Sequence, residues 1–233
     1  MNKRWLTLSL VFLLLLGLVS LPIFGSSALI GTGSYQDVLS GSFYEDAAYW
    51  AKTNSVTNDI ISGNSFSPDQ SCTRKEVMTF LWRAFGSKES TVSVPFTDVK
   101  TTDYYYKAVR WAVENGIAKG ITATTFCPDQ GCTRGHVITF LYRAKVPNSR
   151  HIIYSAETMR AVKNFVDVDA NSFCAKAVRW ALENGVTNGM DSSHFGPDLP
   201  CTRAHIVTFL YRALSSPLPT DDGGDELPII PIG

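Results

Sequence analysis

Apolar and polar positions along this chain fall into a pattern that is written three times. In its clearest copy Val137, Phe140, Leu141 and Ala144 sit at i, i+3, i+4 and i+7, the spacing of one buried stripe on an amphipathic helix. The surrounding stretch opens on Phe, passes through Pro-Asp and Cys-Thr-Arg, and closes on Arg-Ala; it runs from Phe66 to Ala84, from Phe126 to Ala144 and from Phe195 to Ala213. A second helical pattern lies upstream, clearest at 105–116 and 174–185. There Ala108, Trp111, Ala112 and Ala177, Trp180, Ala181 supply the apolar face, and Asn-Gly ends it with a residue suited to the left-handed position after a helix. Each copy therefore reads helix, loop, helix. Such a unit cannot bury its apolar face alone, whereas three can do so together. The predicted fold is mostly α.

Each copy begins at an aromatic-x-Asp-Val opening, Tyr35 to Val38, Phe96 to Val99 and Phe165 to Val168. The openers Asp37, Asp98 and Asp167 lie 37, 36 and 36 residues before Arg74, Arg134 and Arg203. This spacing predicts repeats over 35–85, 96–145 and 165–214. A Ser-rich hinge joins the first two, and an insertion at 146–164, with a short helix expected over Ser155–Lys163, lengthens the interval between successive arginines from 60 to 69 residues. Residues 215–233 are rich in Pro, Gly and acids and are expected to be disordered. At the other end Lys3 and Arg4 precede an apolar run and small residues, which predicts a secretory signal peptide over 1–28. The competing reading is an uncleaved membrane anchor, the only route to a membrane partner.

Composition narrows the function. Basic and acidic residues balance at 21 each, so bulk attraction to nucleic acid is not the binding mechanism, and any anion must be held by particular side chains. Thr73, Thr133 and Thr202 are predicted helix N-caps, with Glu76 completing a capping box. The arginine after each Thr is misplaced, because it sets a cation at the positive end of the helix dipole. Two explanations stand side by side. Free helix N–H groups and the guanidinium fork together suit a carboxylate or phosphate, or each Arg pairs with a local acid such as Asp69, Asp129 or Asp198. Of the five cysteines, Cys72, Cys132 and Cys201 precede the N-caps as small hydrophobes, and Cys127 with Cys132 leaves a local disulfide open.

With the Asp-Val opening, the Trp-Ala…Asn-Gly middle and the Thr-Arg-x-Glu close in place, residues 35 to 214 resemble three tandem S-layer homology domains. The resemblance implies a pseudo-threefold, mostly helical body. Its inter-repeat grooves would bind cell-wall polysaccharide, a peptidoglycan-linked secondary polymer with a terminal pyruvylated sugar, and so hold the protein on a Gram-positive-type surface. It assigns the groove arginine to Arg74, Arg134 and Arg203. Asp37, Asp98 and Asp167 would meet sugar hydroxyls or fix the first helix, Gly120 and Gly189 would give the sugar close approach, and Trp111 and Trp180 would stack on the ring or pack in the core. Two departures stand out: His136 and His205 replace the motif Glu, with a neutral ring still able to accept a capping N–H, and Ser55 and Asp59 replace the two glycines in copy one. The groove relying on copy one is thus expected to be degenerate, and Arg134 and Arg203 to matter more than Arg74.

Other chemistries were weighed. Cys132-x3-His136 and Cys201-x3-His205 would suit zinc, but copy one breaks the pattern. The same pairs lack the orienting group and oxyanion loop of a thiol enzyme. No cofactor and no enzymatic activity are expected. The runner-up is a structural or protein-interaction module that has lost polymer binding.

Overall fold

The computed structural model describes residues 35–61, 63–146 and 165–215. The predicted signal segment, the short helix over Ser155–Lys163 and the tail from 216 onwards lie outside the described residues. Helices among the described residues are α1 (Glu45–Thr53), α2 (Arg74–Ala84), α3 (Tyr106–Glu114), α4 (Arg134–Lys145), α5 (Ala175–Glu183) and α6 (Arg203–Ser215), two from each repeat. None of them is long and apolar enough to cross a membrane.

The two helices of one repeat are not each other's main partners. Instead α3 packs on α2 and α5 on α4, while α1 returns to pack on α6; the second helices α2, α4 and α6 also touch one another. The helical face predicted for each first helix therefore meets the preceding repeat. Trp111 packs on Phe85, Trp180 on Tyr142 and Trp50 on Tyr211, with ring centroids 5.9, 5.6 and 5.9 Å apart. Because the second helices form the inner trio, they bury more than the single stripe predicted. In α4, Ile138, Thr139 and Tyr142 are buried together with Val137, Phe140 and Leu141.

Backbone hydrogen bonds close the same ring at its axis. The Cys72 N–H donates to the Cys201 carbonyl, Cys132 to Cys72 and Cys201 to Cys132, at 2.9, 2.9 and 2.8 Å. The three cysteines are buried there as free thiols, the small-hydrophobe role expected of them. Cys127 is also free, so no bridge joins it to Cys132.

Helix ends follow the sequence closely. Gly116 and Gly185 take φ of 63° and 66° after α3 and α5, and in copy one Ser55 holds the same left-handed conformation at 59°, at a cost of about 1–2 kcal/mol for a residue with a Cβ. Each turn before a second helix contains another left-handed residue, immediately ahead of its proline: Ser67 at 54°, Cys127 at 57° and Gly196 at 72°.

Gly120 is required for a different reason. A Cβ there would lie 2.3 Å from the Thr122 carbonyl oxygen and 2.6 Å from the Phe96 ring, whereas one on Gly131 would meet nothing within 4 Å. Gly120→Ala is therefore expected to destabilise the protein by about 3 kcal/mol and Gly131→Ala by less than about 0.5 kcal/mol, as measured by urea denaturation.

Candidate functional site

Each conserved-looking arginine points out of its own repeat. Arg74 Nε donates to the Phe126 carbonyl at 3.0 Å and its terminal nitrogen to the Lys119 carbonyl at 3.0 Å, both in repeat two. Arg134 Nε donates to the Phe195 carbonyl of repeat three at 2.9 Å. Arg203 closes the circle by donating to the Phe66 carbonyl of repeat one at 3.1 Å. Aromatic faces complete two of these sockets, with the Arg74 guanidinium 4.5 Å from the Phe126 ring centre and Arg134 4.8 Å from that of Phe195.

Neither explanation open at the level of sequence describes these contacts. The arginines do not pair with Asp69, Asp129 or Asp198; it is Lys75 that takes Asp129. Nor are the first helix N–H groups free for a ligand, because the next repeat's turn uses them. The backbone N–H of Arg74, Arg134 and Arg203 donates to the carbonyls of Gln130, Leu199 and Gln70, and the following N–H to those of Pro128, Pro197 and Pro68. An anion at this site would be held by side chains.

What separates the three sockets is the counter-charge. Arg203 is within 3.5 Å of the Glu76 carboxylate, whereas among the described residues Arg74 and Arg134 have no ion pair. Burial lowers the pKa of both these guanidinium groups, yet a guanidinium stays protonated in a protein. Two buried cations are thus left without a direct ion pair, although Asp98 acts on Arg74 and Asp167 on Arg134 through space. In the loop of repeat one, Arg83 bonds the Asn58 carbonyl and lies 3.6 Å from Asp59. Arginine and loop come from different copies, so the loop of copy one belongs to Arg203.

Around Arg74 the surface opens into a cavity of about 270 Å³ lined by Lys119, Gly120, His136, Phe140, Arg143 and Phe173. Three cations line it and no carboxylate does. A larger depression of about 470 Å³ lies beside Asp98, Asp103 and Asp129; its acids would repel an anionic ligand, so the smaller cavity is the candidate site.

The other sequence candidates have definite places. Asp98 accepts from the Phe126 and Cys127 N–H groups, Asp167 from Phe195 and Gly196, and Asp37 from Phe66 and Ser67, all at 2.6–3.1 Å. These aspartates fix the left-handed turn before the second helix rather than the first helix. Burial raises the Asp37 pKa, but its hydrogen bonds from Ser65, Phe66 and Ser67 together outweigh that, and the net shift is downward. Gly120 lines the cavity, but its bare Cα is already demanded by Phe96, and Gly189 at φ 89° stands in the same relation to Phe165. Trp111 and Trp180 are only 4% and 8% exposed, with their rings packed on the preceding repeat. Sequence reasoning missed Lys119, Arg143 and Phe173. Nothing in a linear pattern reveals that three repeats contribute to one cavity.

His136 and His205 keep the cap that Glu76 provides in copy one. Glu76 accepts from the Thr73 N–H and hydroxyl at 2.8 Å. His136 Nδ1 takes the Thr133 N–H at 3.3 Å, and His205 Nδ1 the Thr202 N–H at 3.5 Å, which requires a neutral ring with its proton on Nε2. The Cys-His readings fare worse. Burial pushes the Cys132 thiol up to about 12, away from the thiolate that a nucleophile or zinc ligand needs, and among the described residues no group of three or more potential ligands could hold a metal.

The S-layer homology domain model matches residues 95–138 and 164–206, the second and third repeats. These two segments carry the match to the S-layer homology domain, and the first repeat lies outside it. It is 28% identical over 168 residues to the Surface-layer 125 kDa protein of Lysinibacillus sphaericus, a match spanning 69% of this chain and 13% of that protein. Similarity to the Exoglucanase XynX of Acetivibrio thermocellus is 26% over 198 residues, spanning 82% and 18% respectively. Similarity to the Cellulosome-anchoring protein of the same species is 23% over 156 residues, spanning 65% and 34%. The chain thus covers about a third or less of the length of these relatives. Family and surface-layer relatives locate it at the cell surface.

Burial, with Arg134 close by, brings the His205 pKa down to about 4 from 6.5. Between these values the unfolded chain binds a proton that the folded one does not, so stability present above pH 6.5 is lost as the pH falls towards 4. Tm is expected to drop over that window, and His205→Gln, which can accept the same N–H without titrating, is expected to flatten the profile.

Proposed function

We propose that the protein attaches non-covalently to the cell wall by taking the acidic end of a secondary wall polymer, a pyruvylated sugar, into the grooves of Arg74 and Arg134. The observation that carries this reading is the pair of buried guanidinium groups without an ion-pair partner among the described residues, one of them beside a cavity whose charged lining residues are all cations. A buried charge without a counter-ion is costly, and a ligand carboxylate brought to it relieves that cost with charge-assisted hydrogen bonds. At about 270 Å³ the cavity falls just below the usual range of small-molecule pockets, roughly 300–1,000 Å³, which suits one terminal sugar better than an extended chain. Arg203 has its own acid, Glu76, and takes no part.

In this reading the module anchors and performs no catalysis. The cellulosome-anchoring relative supports the anchoring role, and the glucanase relative is matched over only 18% of its length. The alternative is a surface interaction module without polymer binding; the closed third groove favours it for that one groove.

The test is cosedimentation of the exported protein with purified wall sacculi. Retention is expected, and mild acid removal of pyruvyl groups is expected to weaken it. Arg74 also holds two repeats together, so the exposed Lys119 provides the cleaner variant. Lys119→Glu is expected to reduce retention several-fold with Tm unchanged, and Arg203→Ala to reduce it less than Arg74→Ala or Arg134→Ala. Full retention of Lys119→Glu, Arg74→Ala and Arg134→Ala alike would reject the groove, and no retention of the wild type on any wall preparation would favour the interaction module.

A further inference from the structure

One aromatic position in each repeat has no role in the core. Phe43, Tyr104 and Phe173 stand just before the N-caps of α1, α3 and α5, and they are 59%, 49% and 57% exposed. A Phe left more than half in water gives up a large part of the roughly 1.5–3 kcal/mol that its burial would contribute. Two of these rings nevertheless have a fixed neighbour in the repeat before them. Phe173 stacks on His136, with centroids 5.1 Å apart and planes at 30°, and Phe43 stacks on His205 at 5.8 Å and 27°.

These two neighbours are the residues that replace Glu in the capping box. Each imidazole is fixed by its hydrogen bonds to Thr133 or Thr202, so the phenyl ring lies against an anchored plane and keeps its remaining surface towards solvent. In the groove of Arg74, Phe173 and His136 are part of the cavity wall. Side chains of all three repeats thus meet there: Arg74 from the first, Lys119 and His136 from the second, Phe173 from the third. In copy one the stacking partner is lost, because Glu76 stands where the histidines stand and is turned to Arg203.

We infer that Phe173, and Phe43 in the equivalent position beside Arg134, are stacking platforms for the pyranose ring of the bound sugar, a role that rests on the groove reading above. The chemistry fits a hexopyranose carrying a carboxylate. One face of such a ring presents axial C–H groups, which are apolar and slightly positive and meet the negative face of an aromatic ring, while the carboxylate turns to Arg74 and Lys119. The division of labour is that cations hold the acid and the phenyl ring selects the sugar that bears it. Trp111 and Trp180, the sequence-level candidates for stacking, have no open face for it.

The experiment compares Phe43→Ala/Phe173→Ala, Phe43→Leu/Phe173→Leu and Phe43→Trp/Phe173→Trp in the exported protein on wall sacculi, with Lys119→Glu alongside and Tm recorded for each. The Ala pair is expected to weaken retention about tenfold. The Leu pair, apolar but not planar, is expected to stay weak, and the Trp pair to bind at least as well as the native protein. Loss of retention in Lys119→Glu with full retention of the Ala pair would overturn the platform and leave the groove standing. Leu binding as well as Phe would overturn it in favour of simple apolar contact. Full retention of every variant, Lys119→Glu included, would reject groove and platform together.

Discussion

A buried guanidinium donating to the carbonyl of the phenylalanine that begins the next repeat's turn is the contact on which this body depends. It is made by Arg74 to Phe126, by Arg134 to Phe195 and by Arg203 to Phe66, and the inner cysteine backbones close the ring in the opposite sense, each N–H donating to the preceding repeat. A peptide carbonyl satisfies the hydrogen-bonding demand of a guanidinium but only part of its charge. The fold therefore uses the arginine to join repeats and leaves its net charge to be met from elsewhere. Where Glu76 meets it, the charge has its own counter-ion.

This divides one repeated motif into two kinds of groove. Arg74 and Arg134 make no ion pair among the described residues, whereas Arg203 meets Glu76, and in the loop of repeat one Asp59 pairs with Arg83. Replacement of the motif Glu by histidine acts in the same direction. It preserves the helix cap through a neutral acceptor and removes the carboxylate that would otherwise compete for the cation.

Much of the fold was legible in the sequence because it is local. Helix positions, the Asn-Gly stop and the threonine caps are set within a few residues of each other, and Gly116, Gly185 and Thr133 appear where the pattern puts them. What lay beyond reach was the offset between neighbours. A repeat pattern gives the contents of each unit but not which unit's arginine meets which unit's loop. The openers Asp37, Asp98 and Asp167 illustrate a second gap. Their partners are backbone N–H groups nearly thirty residues away, with no side-chain signature, although Gly196 in the place of Ser67 and Cys127 hinted that a left-handed residue was needed there.

The circular order of the helices has a consequence for how such a protein can be altered. The outer face of α2 is covered by α3, that of α4 by α5 and that of α6 by α1, so among the described residues the first helix finishes the last. Deleting or adding a single repeat would leave one inner helix uncovered and one guanidinium without a carbonyl. Only complete triplets conserve both, which makes the trio, and not the individual motif, the smallest part that could be transplanted intact onto another protein.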